Sequence, residues 1–482
     1  MTAGRLGSVA DLPESVQDLV TSQIDRLAPL DRLVLRYAAV LGTTADLDVL
    51  EQLLATHRTD VRLGEHLPAL VDFVDAHGDR QVRFRHALMR DVAYEGLPYR
   101  RRRLLHQHVG QTLEDAADDR DQVSELLSLH YFHAGRFDRA WVYSRTAGSR
   151  ARAKYANSEA IEFLQRAVEA ARRSAGEVDA AEVADVLEAL GDVAHLAGRS
   201  TGALEAYRAA RRRRSADPVA MARLMSKEAR TQQRLGKVPQ SLRLVRRSLA
   251  LLEAVAGPAA AATRSDLATR YAWGRLRQGR YADALRWATL AARESEASGD
   301  KPTLALAYNG LHTAHYYAGV AEDVPYARLA LMAYEELGDL AGQAHCTNNL
   351  GVEALDAGRL AESAGYFARA RGTFERLGDE ADQANATYNE ADAMVRLGRY
   401  AEAEPLLHDA LGIARAVGDE ELIALVLRET GQVCLRLGRV QEARTHLADA
   451  RARFTALGLA QELAALDDAE REALGVVEEQ IR

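Results

Sequence analysis

The sequence contains little cysteine and little proline. Only two cysteines, Cys346 and Cys434, occur among 482 residues, and they lie far apart within helical patterns. We therefore expect two buried thiols in a reducing compartment, and no disulfide framework. The ten prolines leave room for long helices, because proline removes a backbone hydrogen bond from a helix interior and so disfavours it.

Long apolar runs are also missing. No stretch of about 18 apolar residues is present, so the sequence predicts no membrane-spanning helix. The amino-terminal segment MTAGRLGSVADLPE has one arginine and no apolar core, so it lacks the pattern of a secretory signal. The sequence therefore predicts a cytoplasmic protein. A net charge of −8 argues against a general polyanion-binding protein, although local patches could still be basic.

Motifs of nucleotide-binding and catalytic sites are absent as well. The sequence has no Gly-x4-Gly-Lys-Ser/Thr loop to hold phosphates, no Ser-His-Asp pattern and no glycine-rich cofactor loop. His312 and His315 are three residues apart beside Tyr316 and Tyr317, but no third ligand follows at a zinc-like spacing. We therefore predict a protein that is not an enzyme and that has no cofactor or metal of its own.

What the sequence does have is a repeat of about 40 residues. One series of glycines marks the same helix turn at Gly198, Gly236, Gly279, Gly319, Gly358, Gly398 and Gly438. A second series runs in phase with the first, at Gly299, Gly338, Gly378, Gly418 and Gly458. Two registers with one period predict stacked helix pairs, and so an all-α, right-handed superhelical solenoid.

The stretch from residue 348 to 379 shows the repeating unit. Its first helix has one apolar face and ends at Gly358, and its second helix ends at Gly378, where glycine permits a left-handed carboxyl cap. Asp379 is then placed to cap the next helix. Gly351 is a small residue at a position where the two helices must approach closely.

This pattern resembles the tetratricopeptide repeat, in which Gly-Arg/Lys-Tyr follows a small residue and precedes two alanines. The string Gly-Arg-Tyr-Ala-x-Ala occurs at residues 279–284 and again at 398–403. The period is longer than the usual 34 or so residues, which implies helices that are longer by about a turn. The resemblance implies about eight or nine repeats over residues 119–460, with residues 461–482 as a capping helix.

Residues 12–118, which follow a linker at 1–11, show no 40-residue register. Four helices are predicted there, near residues 12–27, 30–41, 47–57 and 63–73. A turn at Asp75–Asp79 leads to residues 81–85, where polar and apolar residues alternate as in a half-buried strand. Two further helices follow, at 87–97 and 99–117. Helices with a small β-ribbon predict a winged-helix-like domain.

Two strings in this region, LPESVQDLVTSQIDRLAPLDRLVLRYAAVLG and VRFRHALMRDVAYEGLPYRRRRLLHQHVGQTLE, carry a second resemblance. They resemble the segment after the nucleotide-binding module in bacterial STAND ATPases, which are signal-transducing ATPases with C-terminal repeats. Many of these are fused to adenylate or guanylate cyclase domains or to transcriptional activation domains. The resemblance is close over residues 12–170 and looser over the repeats.

The resemblance implies a regulatory chain, the sensor half of such an ATPase, in which binding of an inducer, peptide or protein to the repeats releases the motor. The ATPase module is missing before residue 12, so the chain is either a fragment of a longer protein or a stand-alone protein. ATP or ADP is expected only if a longer chain or a partner supplies that module.

Two sites in the amino-terminal region are candidates. The resemblance implies that His86 reads the β-phosphate of a bound nucleotide, and the alternative is a histidine packed where strand meets helix. Arg100, Arg101, Arg102 and Arg103 form a basic cluster that either contacts DNA phosphates or is a solvated face that docks the ATPase domain or its nucleotide. We favour docking, because the net charge makes DNA an unlikely partner.

The first helices of such repeats line a concave groove. Counting back from the turn glycines places six polar residues in or beside it, namely Asn309, Asn348, Asn349, Tyr388, Asn389 and Arg428. Asparagine can donate to and accept from any peptide backbone, and related repeats hold extended peptides in this way. The sequence therefore predicts a groove for a peptide or protein, unless Asn349 and Asn389 only join neighbouring helices. A DNA-binding regulator and an accessory subunit of a separately encoded cyclase or ATPase are the rival functions.

Overall fold

The computed structural model describes residues 14–55, 61–174, 176, 178–320, 324–459 and 462–467. Within these residues the chain is helical apart from turns and one small sheet. It divides into two compact units: unit 1 comprises residues 1–150 and 162–178, and unit 2 comprises residues 151–161 and 179–482. The predicted linker at 1–11 and most of the predicted capping helix at 461–482 lie outside the described residues; residues 462–467 are helical.

Unit 1 begins as a helical domain with a three-stranded sheet. Its elements are α1 (Glu14–Arg26), α2 (Pro29–Leu41), β1 (Thr44–Asp46), α3 (Leu47–Ala55), α4 (Leu63–His66), a turn of 3-10 helix (Leu67–Leu70), β2 (Val74–Ala76) and β3 (Gln81–Phe84). The helices that follow are α5 (Ala87–Glu95), α6 (Tyr99–Ala116), α7 (Ser124–Ala134), α8 (Phe137–Ala153) and α9 (Asn157–Arg173), and the unit boundaries fall within α8 and α9.

The sheet of unit 1 has β3 at its centre, antiparallel to both neighbours, so that Val82 lies between Ala45 and Ala76. Val82 and Phe84 are buried and the residues between and beside them are exposed, as the alternation in the sequence predicted. The sequence analysis missed β1 and β2, because strands of three residues are too short to show alternation.

The helix predicted at 63–73 is shorter than expected. Its α-helical part ends at His66 and a 3-10 turn follows, with Pro68 near the start of that turn. Proline has no backbone N–H to donate to the carbonyl four residues earlier, which explains why the α-helix stops.

Unit 2 is a series of helix pairs. The first helices of the pairs are α10 (Ala180–Leu196), α12 (Pro218–Arg234), α14 (Pro258–Leu276), α16 (Lys301–Ala318), α18 (Leu340–Asp356), α20 (Glu380–Arg396) and α22 (Glu420–Arg436). The second helices are α11 (Ser200–Arg213), α13 (Val238–Leu251), α15 (Tyr281–Ser298), α17 (Tyr326–Leu337), α19 (Leu360–Leu377), α21 (Tyr400–Val417) and α23 (Val440–Leu457). The predicted all-α class is confirmed.

The predicted helix ends are confirmed by the backbone. The glycines of both series have positive φ angles, and Gly418, for example, caps α21 at a φ of 72°. The side chain of Asp379 accepts a hydrogen bond from the backbone N–H of Asp382, as expected of an amino-terminal cap. A Cβ atom on Gly351 would lie 2.6 Å from the ring of Phe367, so this glycine does mark a close approach of two helices.

Two further expectations concern the core and the membrane. Cys346 and Cys434 are buried and form no disulfide, as predicted. In the part of the chain that the structure describes, no helix combines the length and the apolar character needed to cross a bilayer.

Candidate functional site

Side chains from distant repeats of unit 2 meet in a polar cluster. Arg234, the last residue of α12, places Nη2 2.8 Å from Oδ2 of Asp382 and 3.4 Å from Oδ1 of Asp379. His345 of α18 places Nε2 3.6 Å from the same Asp382 oxygen. We call Arg234, His345, Asp379 and Asp382 the cross-repeat cluster. Since α12 and α20 are not neighbours in the series, the face of the first helices that carries this cluster points inward, and we call it the inner face.

The charged groups of the cross-repeat cluster shift one another's pKa values. Burial and the neighbouring charge of Asp382 raise the pKa of Asp379 to about 7. Burial also acts to raise the pKa of Asp382, but Arg234 and His345 outweigh it, so this pKa lies below its usual value. Burial lowers the pKa of His345, although 46% of its side chain is exposed. Arg234 therefore contacts one carboxylate whose ionised form is favoured, Asp382, and one whose ionised form is disfavoured, Asp379.

The asparagines predicted from the sequence lie on or beside the inner face. Asn389 follows Asp382 by seven residues and Asn349 follows His345 by four, spacings that share one face of a helix. The Nδ2 atom of Asn349 donates to Oδ1 of Asn309, at 2.9 Å, and to the hydroxyl of Thr313, at 3.3 Å. Asn309 is buried. These side chains therefore join α16 to α18.

A second amide contact joins α18 to α20. The Nδ2 atom of Asn389 donates to Oδ1 of Asn348 at 3.2 Å. Among the residues that the structure describes, Nδ2 of Asn348 and Oδ1 of Asn389 have no hydrogen-bond partner, and neither atom is buried. The helices α18 and α20 therefore present a free hydrogen-bond donor on Asn348 and a free acceptor on Asn389. The hydrogen bond between the two side chains holds this donor and this acceptor side by side.

Tyr388 and Arg428 have partners within unit 2. Burial, followed by the charge of Glu429, raises the pKa of Tyr388. The guanidinium of Arg428 contacts the carboxylate of Glu462 and lies over the ring of Phe454, 5.9 Å from its centroid. The structure thus joins the predicted asparagines in two pairs, Asn309 with Asn349 and Asn348 with Asn389, whereas Arg428 contacts Glu462 and Phe454.

A small cavity of about 60 Å³ opens on the inner face beside Asn349. It is lined by Trp273, His312, Thr313, Tyr316, Tyr317, Asn349 and Val352, and we call it the aromatic pocket. The rings of Tyr316 and Tyr317 meet edge to face with centroids 5.3 Å apart, and Tyr317 stacks on Tyr281 at 5.9 Å. The sequence analysis considered His312 and the tyrosines only as a zinc site, which it rejected, and it did not connect Trp273 with them.

Carboxylates lie at the edge of the aromatic pocket. The hydroxyl of Tyr316 donates a hydrogen bond to Asp356, and Nε2 of His312 lies 3.9 Å from Oε2 of Glu353. Across the described parts of both units, no group of three or more histidine, cysteine, aspartate or glutamate side chains is arranged to hold a metal ion.

The candidate residues of unit 1 have varied surroundings. His86 is exposed and precedes α5, where its carbonyl accepts a hydrogen bond from the backbone of Met89 at 3.0 Å. Its side chain makes no capping hydrogen bond to that helix. The role of His86 in nucleotide sensing stays a prediction.

Three arginines of the basic cluster contact other parts of unit 1. The Nε atom of Arg101 donates to the hydroxyl of Tyr37, and that of Arg103 donates to the carbonyl of Ala134, each at 3.0 Å. The guanidinium of Arg102 lies over the ring of Tyr94, 5.1 Å from its centroid. Arg100 is exposed. The cluster is therefore only in part a free cationic surface.

The chain is similar to tetratricopeptide-repeat proteins. The family model for this repeat matches residues 382–456. With the helix pairs of unit 2, this match shows a scaffold of the tetratricopeptide-repeat type. No curated protein matches the sequence.

Solved structures with related folds differ widely in sequence. A signal transduction ATPase with numerous domains (STAND) from Pyrococcus horikoshii, which has a tetratricopeptide-repeat sensor, is 12% identical, with a TM-score of 0.42 over 95% of this chain and 67% of its own. The Rap conjugation gene regulator of plasmid pLS20, in complex with the Phr* peptide, is 12% identical, with a TM-score of 0.48. The match covers 65% of this chain and 90% of the regulator. Aspartyl phosphate phosphatase F from Bacillus subtilis is 13% identical, with a TM-score of 0.45. The match covers 86% of this chain and 96% of the phosphatase.

Proposed function

We propose that the inner face of unit 2 binds an extended segment of a peptide or protein. The observation that carries this proposal is the free donor of Asn348 beside the free acceptor of Asn389. A peptide backbone presents a carbonyl and an N–H that match this pair, whatever its side chains are. The hydrogen bond between the two asparagines orients both amides in advance, which lowers the entropy lost on binding.

We further propose that such binding is the input of a signalling protein, and that the chain acts as the sensor half of a STAND-type ATPase. Support comes from the two sequence strings in residues 12–118 and from a unit 1 that combines helices with a β-ribbon. The output partner is then an ATPase or cyclase domain, in a longer chain or a separate one, and any nucleotide binds there. DNA binding has less support, because Tyr37, Tyr94 and Ala134 already engage three of the four clustered arginines.

The test starts with a library of random linear peptides displayed on phage and selected on the full chain. The affinity of the best peptide is then measured by fluorescence anisotropy. We expect Asn348→Ala and Asn389→Ala each to weaken binding roughly 5- to 30-fold, since each removes one hydrogen bond to the peptide and their mutual contact. Methylation of single backbone nitrogens in the peptide should weaken binding at one or two positions, whereas side-chain truncation there should not.

A matched control is Gln441→Ala, which truncates an exposed amide on the second helix α23. We expect this variant to bind like the unmodified chain. Equal affinities for Asn348→Ala, Asn389→Ala and Gln441→Ala, with unchanged circular dichroism, would place the peptide elsewhere and overturn the proposal. A library that yields no binding peptide would contradict it as well.

A further inference from the structure

The aromatic pocket is exposed to solvent on one side. Tyr317 and its stacking partner Tyr281 are 46% and 41% exposed, so both aromatic rings are in contact with solvent. Trp273 comes from α14, the two tyrosines from α16, and Asn349 and Val352 from α18, so three successive first helices form the walls. Aromatic rings gathered around an open cavity present their electron-rich faces to whatever enters.

Two carboxylates contact residues that line the aromatic pocket. Asp356 bonds to the hydroxyl of Tyr316, and Glu353 is 42% exposed at the same edge. Burial raises the pKa of both tyrosines, and the charged groups that act on them, Asp356 and Glu353 on Tyr316 and Asp356 on Tyr317, raise it further. None of the largest charge effects on either hydroxyl comes from a cation. The field in the pocket is therefore negative.

Arg396 of α20, a cation that the charge of Asp356 influences, is already paired. Arg396 of α20 places Nε 3.0 Å from Oδ1 of Asp392, on its own helix. The carboxylate of Asp356 accepts a hydrogen bond from the hydroxyl of Tyr316, a neutral partner that brings no positive charge to it. A cation from outside the chain would therefore meet, at the pocket, a carboxylate whose hydrogen-bond partner is neutral.

We propose that the aromatic pocket binds the cationic side chain of an arginine carried by the segment on the inner face. A cation is attracted by the faces of tryptophan and tyrosine rings and by the two carboxylates at the edge. Arginine suits the site better than lysine, because its flat guanidinium stacks on rings and can donate to two carboxylates at once. A cavity of about 60 Å³ holds a few water molecules at roughly 10–15 Å³ each, which is room for such a group.

This assignment rests on the proposed function, because it places the arginine on the same segment that Asn348 and Asn389 hold. The lining residue Asn349 connects the two sites along α18, as its neighbour Asn348 belongs to the amide pair. An arginine-binding pocket adds a sequence requirement to peptide recognition that otherwise depends on the peptide backbone alone. The groove would then select, among extended segments, those with an arginine at one position.

The test uses the selected peptide in three forms, with arginine, citrulline or leucine at each position in turn, and measures anisotropy with the full chain. Citrulline keeps the shape of arginine and removes the charge. We expect one position at which arginine binds about tenfold tighter than citrulline or leucine, a preference that falls as salt rises. In Asp356→Asn and in Trp273→Leu the preference should shrink to about twofold or less.

Matched controls separate recognition from folding. Asp409→Asn removes an exposed carboxylate from the second helix α21 and should keep the preference for arginine. Tyr317→Leu removes an aromatic face from the pocket and should lose the preference, and Tyr317→Phe, which restores the ring, should recover it. Saturation-transfer NMR with N-acetyl-arginine amide and N-acetyl-citrulline amide tests the pocket without any peptide, and we expect a signal for the arginine compound alone.

The outcomes distinguish this inference from the function on which it rests. Peptides that need Asn348 and Asn389 but bind equally with arginine, citrulline or leucine at every position would overturn the pocket assignment and support the groove. Tighter binding with leucine would identify the pocket as apolar and overturn the assignment too. Binding of N-acetyl-arginine amide that depends on Trp273 and Asp356, in a chain that binds no peptide, would support the pocket and contradict the groove.

Discussion

Glu429 provides a direct test of the electrostatics of the inner face. It lies on α22 at the position, counted back from the turn glycine, that Asn349 and Asn389 occupy in the two preceding repeats. Its side chain is buried, and this burial, with the charge of Asp392, raises its pKa from 4.5 to about 7 against the opposing effect of Arg428 and Arg396. We expect Glu429→Gln to stabilise the folded chain at alkaline pH and to change little at acid pH.

The sign and size follow from the two pKa values. Below about pH 4.5 the carboxyl group is protonated in the folded and unfolded states alike, so it contributes no dependence on pH. Between pH 4.5 and 7 the unfolded chain releases a proton that the folded chain retains, and the free energy of unfolding falls as pH rises. Above pH 7 the loss is complete and amounts to about 3 kcal/mol, which Glu429→Gln should recover in large part.

The assay is urea denaturation of the unmodified chain and of Glu429→Gln at several values between pH 5 and pH 8. Because repeats can unfold in separate steps, hydrogen exchange of the α22 amides accompanies each measurement. Glu375→Gln, the same substitution at an exposed position of α19, serves as the control. A stabilisation by Glu429→Gln that is constant across the range, or larger at pH 5 than at pH 8, would refute the reasoning.

Three further substitutions test the packing, the caps and the cross-repeat cluster, each by denaturant unfolding. Gly351→Ala should cost about 1–3 kcal/mol, because the added methyl group overlaps the ring of Phe367, whereas Gly365→Ala, with open space around it, should not destabilise. Gly418→Ala should cost about 1 kcal/mol, because an L-residue is strained at a φ of 72°. Arg234→Gln should lower the free energy of unfolding by roughly 3–5 kcal/mol, because it leaves Asp382 and Asp379 without their cation. Adding Asp382→Asn to this variant should recover part of the loss. Equal losses of stability in the single and double variants would contradict an interaction between Arg234 and Asp382.

The helix pairs could be predicted from the sequence because each depends on local chemistry. A turn that requires a left-handed backbone selects glycine, and the two glycine series therefore reported the ends of the helices to within a few residues. The short strands β1 and β2 carry no such local requirement and were missed. The domain limit near residue 118 stays a prediction, because the compact units divide the chain within α8 and α9, where the helical pattern is continuous.

The cross-repeat cluster could not be predicted in the same way. Arg234 and Asp382 are 148 residues apart, and their contact depends on the small rotation that each helix pair adds to the one before. A period in the sequence gives the length of a repeat but not that rotation. The aromatic pocket is an intermediate case: its residues lie at related positions of α14, α16 and α18, but no pattern shows that their rings enclose a cavity.

The inner-face asparagines divide into two roles that the sequence could not separate. The Nδ2 atom of Asn349 donates to Asn309 and Thr313, so Asn349→Ala leaves the buried Oδ1 of Asn309 without that donor and should cost about 1–3 kcal/mol of stability. Asn348 and Asn389 keep a free donor and a free acceptor, so their loss should reduce peptide affinity much more than stability. Denaturation and peptide anisotropy on Asn349→Ala and Asn348→Ala, measured together, test this division. If both variants lost stability and neither lost affinity, all of these amides would serve only to pack the repeats.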